Sequence, residues 1–213
     1  MLSNLANMFK VADLRNKILF TVGMVMLYRL GTFIRVPGID DQAVRQLRES
    51  ARQQGALGFL NLFSGGAFSS FAIFALGIMP YITASIIMQV LGVVIPKLEE
   101  LQQQGAVGQR KITQYTRYVT ITLALLQGTV LVFLFGNGGG GAFYSAVQAP
   151  SVPLLPDGIW PRGYLIIPTL VAGTAVLMWM GELISQRGIG NGMSMIIFAS
   201  VVAGLPSGFY SIL

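Results

Sequence analysis

The chain has 213 residues, of which 54% are hydrophobic and only 10% are Asp, Glu, Lys or Arg. An ordinary soluble domain carries roughly 25% charged residues, so this composition excludes a soluble globule and indicates an integral membrane protein. The chain has no His, no Cys and only 8 acidic residues, which excludes zinc centres, cysteine nucleophiles, Ser-His-Asp triads and disulfide frameworks. The formal charge of +6 comes from small scattered basic groups, as residues flanking a membrane are, and forms no nucleic-acid-binding stripe.

Five apolar stretches are long enough to form membrane-spanning helices. A span needs about 20 mostly apolar residues. Lys10, Arg15 and Lys17 precede the first stretch, but Arg29 interrupts its apolar run and no small-residue cleavage site follows, so it is not a signal peptide. The distribution of basic residues favours an N-terminus inside and a C-terminus outside. The sequence predicts spans at 18–34, 70–95, 119–135, 164–184 and 193–213.

The stretches between the spans differ in composition. Asp40 and Asp41 begin a short amphipathic helix after the first span, which we interpret as part of a solvated connector. The Gly- and Pro-rich stretch after the third span has no periodicity and predicts a loop. The predicted segments are an amphipathic segment on the inner face (1–17), an outer connector (35–56), a cytoplasmic loop (96–118), an outer loop (136–163) and a cytoplasmic turn (185–192).

A short apolar piece at 57–69 stands in front of the second span and is interrupted by Ser64-Gly65-Gly66. At about 1.5 Å per residue it reaches some 20 Å, short of a hydrocarbon core of about 30 Å. Non-helical backbone at membrane depth is tolerated only in protein or beside a watery cavity, so we place the break at a cavity. The alternative is an interfacial helix on the outer surface. The second span presents Ile78, Ile82 and Ile86 on one stripe, which alone is typical of packing or lipid contact.

Several sequence blocks occur in an order and at spacings typical of one family. They are Leu60-Asn61-Leu62-Phe63-Ser64-Gly65-Gly66, Ile73-Phe74-Ala75-Leu76-Gly77-Ile78-Met79-Pro80-Tyr81-Ile82, Arg110-Lys111-Ile112-Thr113-Gln114-Tyr115-Thr116-Arg117, Arg187-Gly188-Ile189-Gly190-Asn191-Gly192, Tyr28-Arg29-Leu30-Gly31 and Val36-Pro37-Gly38-Ile39-Asp40. Together they resemble the bacterial SecY family, the channel subunits of the Sec protein translocase. Its members have ten spans in two inverted halves. The resemblance implies an all-α integral membrane protein with five transmembrane helices and a short re-entrant plug helix, one half of an inverted-repeat channel.

The resemblance implies a role for each of four groups of residues. The plug that blocks the pore would contain Leu57, Phe59, Leu60, Asn61, Leu62, Phe63, Ser64, Gly65 and Gly66. A hydrophobic pore ring, which gates by dewetting because aliphatic side chains hold no water, would contain Ile78, Ile82 and Ile197. A lateral gate, through which signal sequences leave for lipid, would contain Thr83, Ile86 and Gln127. A cytoplasmic docking surface would contain Arg110, Lys111 and Arg117.

The function implied by the resemblance is that of the central protein-conducting subunit of the Sec translocon. It passes unfolded secretory chains across the bacterial plasma membrane and releases membrane segments sideways into lipid. Its partners would be SecE, SecG, the SecA motor or the ribosome, and the second half of the same channel. We expect no catalytic residue, no metal and no cofactor, because the Ser and Thr residues of the spans have no partner base.

The alternative is half of an inverted-repeat secondary transporter, which also uses broken helices. Coupled transporters usually place ionisable residues within their spans. The stretches 71–95, 119–135 and 193–213 contain none, so the sequence favours the channel.

Overall fold

The computed structural model describes residues 12–52, 56–136, 155 and 162–210. Within them the regular structure is helical, and the extended pairing is an isolated antiparallel bridge between Arg35 and Ala72. The predicted all-α fold is therefore observed in this part of the chain, whereas 1–11 and most of the predicted loop 136–163 lie outside it. The helices are α1 (Ala12–Gly31), α2 (Asp41–Arg52), α3 (Ala56–Phe63), α4 (Met79–Val94), α5 (Pro96–Gln103), α6 (Ala106–Gly136), α7 (Gly163–Arg187) and α8 (Gly192–Tyr210).

Among the described helices, two are long and apolar enough to cross a membrane. They are Ala106–Phe135 of α6 and the whole of α7, with 30 and 25 residues, against a hydrocarbon core that about 20 residues cross. The helices α4 and α5 pass the same test only together, and they are bent by 101°. Pro96 explains the bend, because the residue before a proline is held extended, as Ile95 is at φ −100° and ψ 112°. This gives two or three spans, and the predicted number of five is not confirmed.

The second predicted span differs from the structure in its first part. The sequence predicts a helix over 70–95, but α4 begins only at Met79. Residues 64–78, here called the break segment, form consecutive turns and the bridge at Ala72. A right-handed helix cannot continue through left-handed backbone, so the apolar run folds into turns although its composition is typical of a span. Positive φ angles occur in this segment at Gly65 (62°), Gly66 (88°), Phe71 (45°) and Gly77 (58°).

Two glycines allow the break segment to pack closely against neighbouring helices. A Cβ at Gly31 of α1 would lie 2.0 Å from the ring of Phe74, and a Cβ at Gly173 of α7 would lie 1.9 Å from the carbonyl oxygen of Ile73. Real Cβ atoms do not approach other heavy atoms so closely, so neither position accepts a side chain without movement. The helices α1 and α7 therefore present glycine notches into which the break segment fits.

Two polar stretches predicted as loops are largely helical or shorter than predicted. In the stretch 96–118, only Gln104 and Gly105 separate α5 from α6. Lys, Glu and Gln are good helix formers, and Gly105 follows α5 with a φ of 65°. The stretch predicted as a loop between two spans is therefore helical along most of its length. The turn predicted at 185–192 is also shorter, since α7 continues to Arg187 and α8 begins at Gly192.

The connector between α1 and α3 contributes to the hydrophobic core. Its helix α2 begins at Asp41, and three of its apolar side chains are at most 3% exposed. These side chains are Ala43, Val44 and Leu47. They belong to one buried cluster with Phe71 and Leu76, and the Val36 amide donates a hydrogen bond to the Phe71 carbonyl oxygen (3.1 Å). The predicted amphipathic helix is therefore observed, and its apolar face is not solvated but packs against the break segment.

Candidate functional site

The short helix α3 corresponds to the piece predicted as a plug. Its eight residues extend about 12 Å, too short to cross a hydrocarbon core of about 30 Å. It ends at Phe63, immediately before the Ser-Gly-Gly break. Phe59 is 67% exposed, and Leu60, Leu62 and Phe63 are each about 40% exposed, whereas the side chain of Leu57 lies outside the described part. This helix therefore presents an apolar surface that the described residues leave uncovered.

Two polar side chains close the chain on itself after α3. Ser64 Oγ donates to the carbonyl oxygen of Asn61 (3.1 Å) and accepts from the amide of Phe68 (3.0 Å). Asn61 Oδ1 accepts from the amide of Ser69 (3.0 Å). Gly66 supplies a further bond from its amide to the Asn61 carbonyl oxygen (2.9 Å). The end of α3 and the start of the break segment are thus one hydrogen-bonded unit.

The same unit is attached to two long helices by side chains that sequence reasoning did not select. Tyr28 Oη of α1 donates to the Ser64 carbonyl oxygen (3.0 Å) and lies 2.6 Å from Ser200 Oγ of α8. Arg29 Nη1 donates to the Gly65 carbonyl oxygen (2.8 Å). Tyr28 and Ser200 are each 1% exposed. The one signal in the sequence was Arg29, a charge inside an apolar run, which is rare without a partner.

The structure brings the three predicted ring residues into one hydrophobic cluster. Ile78 is 5% exposed and belongs to the buried part of the cluster, while Ile82 and Ile197 are half-buried and pack against it. Ile78 lies in the break segment directly before α4, and its carbonyl oxygen accepts the amide of Ile82 (3.1 Å). Ile197 reaches the same cluster from α8, more than a hundred residues later. The three aliphatic side chains that the resemblance assigns to a pore ring therefore belong to one cluster, although Ile197 is distant from the other two in the sequence.

The predicted gate residues lie on helices that pack against each other. Thr83 and Ile86 belong to α4, and Gln127 belongs to α6, which contacts α4. Thr83 Oγ1 donates to the Met79 carbonyl oxygen of its own helix (3.0 Å). Ile86 is 55% exposed, and Gln127 is half-buried. The α4 and α6 pair thus exposes apolar surface with two polar side chains near it.

The three predicted docking cations have different surroundings. Arg110 and Lys111 are exposed on α6. Arg117 instead forms a two-bond ion pair with Glu182 of α7, with Nε 2.7 Å from Oε1 and Nη2 bonded to Oε2. The Arg117 side chain is 42% exposed and the Glu182 side chain is 14% exposed. Arg117 therefore braces α6 against α7 and differs from the two free-standing cations nearby.

A polar cavity of about 880 Å³ surrounds that ion pair. Arg110 and Gln109 of α6, Tyr81 of α4 and Asn191 before α8 also line it. In the part of the chain that the structure describes, no group of three or more His, Cys, Asp or Glu residues is placed to hold a metal ion. The cavity is lined by charged and hydrogen-bonding side chains together with a few apolar ones.

Curated relatives match this chain over its whole length. The model of the family described as SecY matches residues 72–213. The chain is 50% identical over 214 residues to the protein translocase subunit SecY of Streptomyces scabiei. The corresponding values are 46% over 209 residues for that of Micrococcus luteus and 47% over 216 residues for that of Mycobacterium tuberculosis. These alignments include 98–100% of this chain but 46–48% of the relatives, so the chain spans about half their length.

Two solved structures share the fold. Sec61 in the canine ribosome-channel complex from the endoplasmic reticulum aligns with a TM-score of 0.58 and 20% identity, over 91% of this chain and 38% of that chain. The structure described as a protein conducting channel aligns with a TM-score of 0.54 over the same shares. Likeness at 20% identity shows the fold alone, whereas the family model and the curated relatives establish the family. This chain is a membrane protein of the SecY family.

Proposed function

We propose that this chain forms the first half of a protein-conducting channel that carries unfolded secretory chains across the bacterial plasma membrane. The supporting relatives are protein translocase subunits. The observation that carries the proposal is the half-crossing helix α3. It exposes apolar side chains while it contacts α8, the helix that contributes Ile197 to the aliphatic cluster. A half-crossing helix beside an aliphatic constriction is the arrangement that a plugged pore needs.

The aliphatic cluster acts as the seal of this channel. Ile78, Ile82 and Ile197 carry no group that holds water or an ion, so a narrow ring containing them empties of water. An extended polypeptide still passes, because branched side chains yield by changing rotamer and form no bonds that must be broken. The second half of the channel supplies the opposite side of this ring, and α3 is the plug that closes the space beyond it.

Sideways release of membrane segments is assigned to the α4 and α6 pair. Ile86 is exposed there, and Thr83 and Gln127 add polar groups to an apolar seam. A segment that is apolar enough to prefer lipid leaves through the seam, while a polar segment continues along the pore. No step in this process makes or breaks a covalent bond, so the channel is not an enzyme.

Partners complete the half-channel. The exposed cations Arg110 and Lys111 offer a docking surface to the SecA motor or the ribosome on the cytoplasmic face, with Arg117 contributing little because Glu182 already neutralises it. SecE, SecG and the second half cover apolar surface that this half leaves exposed, such as that of Phe59.

The ring is tested in the full-length channel with its partner subunits, reconstituted in liposomes. Replacing Ile78, Ile82 and Ile197 with Gly should let water enter and raise the resting ion conductance in the absence of a translocating chain. The matched control replaces Val90, Val130 and Val202, which are exposed on α4, α6 and α8, and should leave conductance unchanged. Unchanged conductance in the triple Ile variant, with normal insertion, would show that these residues only pack.

The topology is tested by labelling single cysteines, since the chain has no native Cys. With five spans, a short plug and the N-terminus in the cytoplasm, an exposed cysteine at Gln109 reacts with a membrane-impermeant maleimide only from the cytoplasmic side. If α3 were a full span, every later loop would change sides. Labelling of that cysteine from the outer side alone would contradict the five-span arrangement.

A further inference from the structure

We propose that Tyr28, Arg29 and Ser200, here called the plug anchor, hold the plug closed. This inference rests on the proposed function, because it requires α3 to be a plug that moves. The three side chains come from two helices that are far apart in the sequence, and their bonds converge on the junction between α3 and the break segment. They act as positioning residues, because their bonds go to the backbone and side chains of this chain.

The phenol oxygen of Tyr28 connects three elements at one point. It donates to the carbonyl oxygen of Ser64 at 3.0 Å. Tyr28 Oη and Ser200 Oγ lie 2.6 Å apart, and either hydroxyl can be the donor in this pair. Tyr28 Oη is thus the shared partner of the plug junction and of α8. Loss of either hydroxyl therefore interrupts the connection between the plug junction and α8.

Ser200 is also bonded within its own helix. Its Oγ donates to the Ile196 carbonyl oxygen at 2.8 Å. The Ser200 hydroxyl thus keeps a hydrogen-bond partner on α8 when the bond to Tyr28 is lost, and no unsatisfied serine hydroxyl opposes that loss. The bond between Tyr28 and Ser200 is consequently one that can break and re-form at small cost on the α8 side.

Arg29 holds the next carbonyl group along the chain. Its Nη1 donates to Gly65 at 2.8 Å, and a charged group within a span commonly pairs with backbone carbonyl oxygens. Close approach is possible because residue 65 is glycine. A Cβ there would lie 2.8 Å from Tyr28 Oη, 3.2 Å from Arg29 Nη1 and 3.3 Å from Ser200 Cα. All three anchor residues therefore surround one glycine at the end of the plug.

The test measures resting ion conductance of the full-length channel with its partner subunits in liposomes. Tyr28→Phe removes the hydroxyl and keeps the ring, whose centroid lies 5.9 Å from that of Phe74 in a stacked arrangement. We expect conductance to rise roughly threefold to tenfold in Tyr28→Phe and in Ser200→Ala, and about tenfold or more in Arg29→Met, since bonds from charged donors stabilise more than neutral ones. A nitroxide label on a cysteine at position 60 should become more mobile in the same three variants.

Matched controls remove hydroxyl groups that do not touch the plug. Tyr118→Phe changes an exposed tyrosine, and Thr174→Val changes a buried hydroxyl bonded within α7 to the Leu170 carbonyl oxygen at 3.1 Å. Both should keep the parental conductance and label mobility. The label is read in the folded fraction, so a variant with a low yield still gives a result.

Deleting residues 57–63 separates failure of this inference from failure of the proposed function. If the deletion does not raise conductance, α3 is not a plug and the proposed function loses its support. If the deletion raises conductance while the three anchor variants change neither conductance nor label mobility, α3 is a plug and the anchor is overturned.

Discussion

Two arginines in this chain are held in contrasting ways. Arg29 donates to the neutral carbonyl oxygen of Gly65, in a segment of turns. Arg117 makes two bonds to the carboxylate of Glu182 and thereby joins α6 to α7. The partner of Arg29 is a neutral carbonyl dipole, which leaves the charge of the arginine uncompensated. The partner of Arg117 is a carboxylate, which carries the opposite charge.

The difference teaches which attachment is suited to movement. A two-bond guanidinium–carboxylate pair adds geometric restraint to Coulomb attraction and keeps α6 and α7 in one register. Breaking a single bond to a carbonyl oxygen costs less free energy, because water or another carbonyl group can replace the partner. We therefore interpret the Arg117 attachment as a brace and the Arg29 attachment as a releasable contact.

The largest loss of stability is expected when Arg117, the more exposed partner of the Arg117–Glu182 brace, is replaced. Arg117→Leu leaves the Glu182 carboxylate, only 14% exposed, without its partner. We expect the free energy of unfolding of the full-length complex to fall by about 3 kcal/mol, because an unpaired buried charge is not compensated. Thermal unfolding of the purified complex checks this. Arg29→Leu in the same assay should cost less, because the carbonyl group it leaves behind is neutral.

The reciprocal substitution is the control for the brace. Glu182→Leu removes the more buried charge and leaves Arg117, which is 42% exposed and can turn to water, so its cost should be roughly 1 kcal/mol. The double variant should recover most of the stability lost in Arg117→Leu. Equal losses in both single variants, with no recovery in the double variant, would contradict the description of this pair as a brace.

An intermediate effect is expected at the two glycines that follow α3 and Ser64. Gly65→Ala and Gly66→Ala both force a side chain into left-handed backbone, at φ 62° and 88°, which costs about 1 kcal/mol each. Only the Cβ at 65 meets other atoms, whereas the Cβ at 66 meets open space. Gly65→Ala should therefore destabilise the complex further, by about 2 kcal/mol in total, and raise resting conductance. Identical behaviour of the two variants in unfolding and conductance would argue against close packing around Gly65.

The smallest effect on stability is expected at the exposed cations. Neutralising Arg110 and Lys111 together with Gln should change the free energy of unfolding by less than about 0.5 kcal/mol, because neither is buried. It should weaken binding of the SecA motor or the ribosome in a salt-dependent way, which a sedimentation assay with liposomes measures. The control replaces exposed Lys97 of α5 with Gln. An equal loss of binding in this control would show that Arg110 and Lys111 are not a specific docking surface.

Local composition was sufficient to predict several parts of the molecule. The interruption of the apolar piece at Ser64-Gly65-Gly66 follows from the sequence, since glycine accepts the positive φ that stops a helix. The half-helix predicted over 57–69 therefore ends earlier, at Phe63. The bend after α4 follows from Pro96. The grouping of Ile78, Ile82 and Ile197 came from resemblance, and the structure places all three in one cluster. Their role in a pore ring stays a prediction.

The features that were missed depend on contacts between distant residues. The start of α4 was predicted too early because the turns of residues 64–78 are supported by the connector, through bonds such as Val36 to Phe71, and not by local turn signals alone. Ser200 is 172 residues from Tyr28, and Glu182 is 65 residues from Arg117. A single sequence contains no signal for such pairs, so neither the anchor nor the brace was predictable from it.

The glycine notches that receive the break segment impose an order on the assembly of this protein. Phe74 meets the notch at Gly31 on a helix that is already made, but Ile73 meets the notch at Gly173, which is synthesised a hundred residues later. At about 5–20 residues per second, the segment waits roughly 5–20 s for its second wall. During that interval the side of the break segment that later packs on α7 is uncovered. The break segment therefore reaches its packed state only after α7 has been synthesised and has joined it.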